Sequence, residues 1–142
     1  MINVNDILKE KGNQYFASPS AYVIDALRLM AEKNIGAVLV MDNDRLVGIF
    51  SERDYARKVV LAGKSSLNTP VSETMSSEVI TVTKDTSLND CMQIMTDKHF
   101  RHLPVLEGDK VIGVVSIGDI VSRIIREQRN TIQQLENYII RG

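Results

Sequence analysis

The sequence predicts an α+β fold: two β-α-β-β-α repeats packed about a pseudo-twofold axis, with a short helix before them and a long one after. Three observations predict it. The segment Gly48-Ile49-Phe50-Ser51-Glu52-Arg53-Asp54 returns as Gly113-Val114-Val115-Ser116-Ile117-Gly118-Asp119, 65 residues later. The same shift pairs Asp25 with Asp90, Met30 with Met95, Lys33 with Lys98, Val40 with Val105 and Asp44 with Asp109, without a gap. Beyond the second copy, Val121, Ile125, Gln128, Ile132, Leu135 and Ile139 alternate spacings of four and three, a heptad seam interrupted once by a polar residue.

The elements follow in chain order. Asn5 through Lys11, closed by Gly12, fits a short N-terminal helix. Tyr15–Ser18 reads as a strand. Val23, Ala26, Leu27 and Met30 fall at i, i+3, i+4 and i+7, which gives a helix with one buried stripe. Ala37–Met41 and Leu46–Phe50 are short apolar runs about Asp42-Asn43-Asp44-Arg45, a strand–turn–strand. A second helix runs from Glu52 to about Ala62, with Gly63 at its end. Lys64–Pro70, rich in Ser, Asn and Pro, reads as a linker. The second copy repeats the order: strand Val79–Thr83, a helical stripe at Leu88, Cys91, Met92 and Met95, strands Leu103–Leu106 and Val111–Val115, and a helix from Ile117. The units are residues 12–70 and 71–123, with helical extensions at 1–11 and 124–142. A unit of about 55 residues buries too little surface to stand alone, so the twins are expected to pack together. The C-terminal seam outlasts the second unit, which predicts a homodimer.

Composition limits the function. With 44% hydrophobic and 25% charged residues in 142, the chain is globular and not disordered. A net charge of −1 and 5% aromatic residues speak against nucleic acid as a partner. No apolar run approaches the ~18 residues of a membrane span, and the first residues lack a basic start and apolar stretch. A cytoplasmic protein without a membrane partner is expected. Cys91 stands alone, so no intrachain disulfide or Cys-rich zinc site is available. It matches Ala26 in the first helix and reads as a buried thiol. His99 matches Asn34 at a helix end. Neither histidine has metal-ligand or triad spacing with Cys91, so no catalytic residue and no metal site are assigned.

The doubled Ser-x-x-Asp has two readings. Ser51 and Ser116 stand where a strand hands over to a helix, and Asp54 and Asp119 complete capping boxes with them. The same geometry fits a nucleotide: a hydroxyl and a helix start for phosphate, a carboxylate one turn in for the vicinal hydroxyls of a ribose. If the ligand reading holds, Asp54→Asn and Asp119→Asn each weaken one site and barely change the ligand-free melting temperature.

The tandem unit, carried by Gly48–Asp54, Phe100-Arg101-His102-Leu103-Pro104-Val105 and Gly113–Asp119, resembles a pair of cystathionine-β-synthase (CBS) domains of the stand-alone bacterial type, the Bateman module. The resemblance implies a regulatory sensor of an adenosyl ligand: AMP first, then ATP, ADP, NAD or S-adenosylmethionine, bound between the two copies. Asp54 and Asp119 would take the ribose, Ser51 and Ser116 would lie near phosphate, and backbone around Ser18 and Thr81 would line the adenine. The copies differ at Gly36-Ala37, where the second has Arg101-His102, and at Arg53, where the second has Gly118. Arg101, His102 and Arg53 are candidate phosphate ligands. Their alternatives are a surface ion pair, a histidine satisfied at a strand start and a cover for the helix start. Unequal sites are therefore expected, one tighter than the other. A regulated partner protein is implied and left unnamed. The alternative class is an enzyme acting on an adenine nucleotide, with only Glu52, Arg101 and His102 to serve it.

Overall fold

The 65-residue shift is carried by the backbone as well as by the sequence. The computed structural model describes residues 2–11 and 15–141. Its elements are α1 (Val4–Leu8), β1 (Phe16–Ala17), α2 (Val23–Lys33), β2 (Ala37–Asp42), β3 (Arg45–Ser51), α3 (Glu52–Asp54), β4 (Val82–Thr83), α4 (Leu88–Lys98), β5 (His102–Glu107), β6 (Lys110–Ser116) and α5 (Ile117–Arg141). Two three-stranded sheets form, in the orders β1-β2-β3 and β4-β5-β6. In the first, Ala37 faces Ser51 and Val40 faces Gly48, with a bulge after Val40. In the second, His102 faces Ser116 and Val105 faces Gly113, with the bulge after Val105. Left-handed residues recur in register too, at Asn34 and His99 after the first helix of each unit and at Asn43 and Gly108 in the hairpin turns. Asn tolerates this conformation and glycine adopts it without strain.

Three local expectations are revised. The outer strands are shorter than predicted: β1 keeps Phe16–Ala17 and β4 only Val82–Thr83, because only these residues find ladder partners on β2 and β5. The helix expected from Glu52 to about Ala62 is α-helical for Glu52–Asp54 and then π-helical over Tyr55–Val60. Leu61 N–H donates to the Ala56 carbonyl at 3.0 Å and Lys64 N–H to that of Val59 at 2.9 Å, each a five-residue step. The wider turn seats Val59 in the core. Lys64–Pro70 is a structured connection. The carbonyls of Thr69 and Ser66 accept from Val23 and Ile24 N–H at 2.9 and 3.0 Å, capping α2 in place of the Tyr22 side chain.

Each unit has its own core, and the segment ahead of each repeat covers the opposite one. Val4 and Ile7 of α1 pack with Val82, Leu88, Cys91 and Leu103 in the second unit. Val71 and Met75 pack with Val23, Met30, Val40 and Phe50 in the first. Backbone bonds fix the exchange: Val4 N–H to Thr86 O at 2.9 Å, and Val71 N–H to Ala21 O at 2.7 Å. The N-terminal helix is thus part of the second core. It ends at Leu8, short of the expected Lys11, and Gly12 lies outside the described residues. At the other end α5 buries Ile120 and packs Ile124 on the second unit, then leaves it. Residues 128–140 are all exposed, about 20 Å of free helix.

Candidate functional site

Both strand-to-helix junctions form the predicted capping box. Ser51 Oγ accepts from Asp54 N–H at 3.2 Å, and Asp54 Oδ2 accepts from Ser51 N–H at 2.9 Å and Ser51 Oγ at 3.0 Å. Asp54 is 7% exposed. Its other oxygen, Oδ1, accepts from Ser76 Oγ at 2.8 Å and pairs with Lys58 Nζ at 3.1 Å. At the second junction Ser116 Oγ accepts from Asp119 N–H at 3.1 Å and Asp119 Oδ2 accepts from Ser116 N–H at 2.9 Å. There the extra partner is Lys11, whose Nζ lies 2.8 Å from Asp119 Oδ2 and 2.8 Å from the Val114 carbonyl. Burial pushes the Asp119 carboxyl up, but the Lys11 ammonium and the Ser116 hydrogen bonds outweigh it and hold it below the usual carboxylate range.

A cavity of about 930 Å³ opens between the two units in front of Asp54. Gly36, Ser51, Arg53, Asp54, Arg101 and His102, all expected at the ligand, line it together. Ser18, Ala37, Thr81, Ser116, Gly118 and Asp119 are not among its lining residues. Ser18 is exposed beside Ser20, and Thr81 is exposed just ahead of β4. Ala37 is buried opposite Ser51 in β2. Glu78, Val79 and Ile80, just ahead of β4, line the cleft where Thr81 was expected to act. Gly118 sits in the first turn of α5, and a Cβ there would meet Ser116 Oγ at an ordinary 3.7 Å.

Sequence reasoning missed Arg57, Lys58, Ser76 and Lys98. Lys58 was within reach of it, since a lysine four residues after Asp54 on a helix faces that carboxylate. Ser76 and Lys98 come from elsewhere in the chain and left no local signal. Five cationic side chains (Arg53, Arg57, Lys58, Lys98 and Arg101) face the cavity against three carboxylates, Glu52, Asp54 and Glu78. That excess suits an anion, although the whole chain is nearly neutral. Val79, Ile80, Met95 and Phe100 add an apolar wall. Arg53 Nη1 crosses the cleft to donate to the His99 carbonyl at 3.0 Å, so it ties the units together.

His102 stands where the units meet. A Cβ on Gly36 would come within 3.7 Å of its Nε2. Burial lowers its pKa below 6.5; the Lys11 and Arg101 charges lower it further, and Asp119 and Asp54 offset part of this. The folded protein therefore favours the neutral form of His102 more than the unfolded chain does. Its contribution to stability is complete above an unfolded value of 6.5 and is lost as pH falls through the lower folded value. His102→Gln is expected to reduce the loss of stability as pH falls from neutral through 6.5, read by urea unfolding. Identical pH slopes in the two proteins would contradict this.

Burial pushes the Cys91 thiol up to about 11, which makes it a poor nucleophile. Among the described residues, no group of three or more His, Cys, Asp or Glu is placed to hold a metal ion, and no helix is long and apolar enough to cross a membrane.

The CBS-domain family model matches residues 4–61 and 71–126. A CBS domain-containing protein of Arabidopsis thaliana, the mitochondrial CBSX3, is 38% identical over 149 residues, covering 98% of this chain and 72% of that protein. A solved CBS-domain protein from Burkholderia ambifaria MC40-6 is 48% identical, with a TM-score of 0.86 over 89% of this chain and 96% of its own. The crystal structure of CBSX2 in complex with AMP is 26% identical, with a TM-score of 0.73 over 89% and 98% of the two chains.

Proposed function

The chain belongs to the CBS-domain family as a tandem pair, and we propose that it is a cytoplasmic sensor that binds an adenine nucleotide, AMP first, in the cleft before Asp54. The observation that carries this reading is the buried Asp54 carboxylate at one end of a cleft with an excess of cations. The cavity of about 930 Å³ lies at the upper end of the range usual for small-molecule sites. The vicinal hydroxyls of a ribose donate to Asp54, the purine lies against Val79, Ile80, Met95 and Phe100, and the phosphate meets the Arg53, Arg57, Lys58 and Arg101 side chains. The AMP bound to the related CBSX2 supports the ligand class. ATP, ADP, NAD and S-adenosylmethionine share the adenosine half and rank after AMP.

Binding of this kind carries a signal. Asp54 Oδ1 already holds Ser76 and Lys58. A ribose displaces them, which frees Lys58 for the phosphate and releases the Ser76 hydroxyl, next to Met75 of the segment that covers the first unit. A ligand shifts an equilibrium only by binding its two states unequally, and this exchange of partners supplies that difference. The free part of α5 pairs two copies: its seam residues Ile132, Leu135 and Ile139 are 55%, 58% and 74% exposed. Native mass spectrometry with AMP added reads both parts of the proposal. The expected species is a dimer carrying AMP. A monomer would overturn the α5 interface and a dimer without nucleotide would overturn the ligand; in a separate incubation with ATP, formation of products would favour an enzyme.

A further inference from the structure

We infer that Lys11 closes the second nucleotide position, so that each chain takes one nucleotide, at Asp54. The inference rests on the adenine-nucleotide reading and adds its stoichiometry and the residue that sets it.

The 65-residue shift makes residue 11 the counterpart of residue 76. Both end the segments that cross to the opposite unit. Ser76 exchanges backbone bonds with Ile49 at 2.8 and 3.0 Å, and its hydroxyl reaches Asp54 Oδ1 at 2.8 Å. Lys11 approaches Val114, the counterpart of Ile49, and its ammonium reaches Asp119 Oδ2 at 2.8 Å. Around two otherwise matched capping boxes, the position facing the carboxylate is a neutral hydroxyl in one case and a cation in the other. A ribose that displaces Ser76 exchanges one hydroxyl for another. At Asp119 it would have to break a charge-assisted bond and leave the ammonium without its partner.

Lys58 does not close the first position in the same way, although it pairs with Asp54. It stands on the same helix, is 43% exposed and can swing into solvent or onto a phosphate. Lys11 is 29% exposed and held on two sides by Asp119 and the Val114 carbonyl. Its neighbour Glu10 is clamped by Arg126 Nη2 at 2.8 and 2.9 Å, and Arg123 Nη1 donates to the Asp6 carbonyl at 3.3 Å. The segment that carries Lys11 is therefore fixed to α5.

Calorimetric titration of the full chain with AMP tests the inference. The expected stoichiometry is one per chain for the natural protein, two for Lys11→Ser, which copies the Ser76 arrangement, and one again for Lys11→Ser combined with Asp119→Asn. Circular dichroism checks that each variant is folded, and Lys11→Gln replaces the serine variant should that one melt early. Two sites in the natural protein, or one in both single Lys11 variants, would overturn the role of Lys11 and leave the ligand reading standing. No binding to any of the proteins would overturn the ligand reading and this inference with it. Binding by the Lys11 variants alone would support the closure and contradict the Asp54 site.

Discussion

Gly48→Ala is expected to lower the unfolding free energy by about 1–3 kcal/mol, the usual cost of adding a group to a packed site. A Cβ at residue 48 would stand 2.6 Å from Met75 Sδ, 2.9 Å from the Ser76 carbonyl oxygen and 3.0 Å from Met75 Cγ. The methionine can turn aside. The carbonyl cannot, because it accepts from Ile49 N–H at 3.0 Å while Ser76 N–H donates back to Ile49 O at 2.8 Å. Relief of the clash has to loosen this bridge, and with it the Ser76 hydroxyl on Asp54. The substitution should therefore also weaken AMP binding. Urea unfolding gives the first effect and calorimetry the second; an unchanged unfolding midpoint would refute the close approach.

Asp54→Asn is expected to weaken AMP binding by about tenfold to hundredfold, the loss that follows when hydrogen bonds to a charged acceptor become bonds to a neutral one. The sequence alone predicts little change without ligand. The structure alters that expectation, because Asp54 is 7% exposed and bonded to Ser51, Ser76 and Lys58 at once. An amide keeps one acceptor and brings donors that face Ser51 N–H or Lys58. A loss of about 1 kcal/mol in the ligand-free protein is expected, in the range of a lost helix cap. The capping and ribose readings are therefore not exclusive: the cap holds the carboxylate in the orientation that a ribose would use. Unchanged AMP affinity with lowered stability would leave Asp54 as a cap alone.

The repeat made much of this fold legible. Hairpins, helix stripes and capping boxes depend on residues close in sequence, and each copy repeated the signal of the other at a fixed distance. The crossing of the lead segments did not show. Nothing in the spacing of Val4 and Ile7 says which core they enter, because that depends on contacts with residues far along the chain. The short β1 and β4 misled for a related reason. Val79 and Ile80 have strand-like composition, yet they line the cavity. Of the cleft residues, those in the motif and at the Gly36/Arg101 difference were found. Lys58 was readable by helical spacing. Lys11 became readable only once the 65-residue shift was extended beyond the motif, to where a serine and a lysine face matched carboxylates.

On the proposed function, an adenine nucleotide binds between the units with its ribose on Asp54. A crystal structure of the protein grown with AMP tests it most directly. AMP is expected in the cleft, with both ribose hydroxyls within hydrogen-bond distance of the Asp54 carboxylate and Lys58 turned to the phosphate. AMP bound away from Asp54, or a cleft that stays empty at saturating AMP, would contradict it.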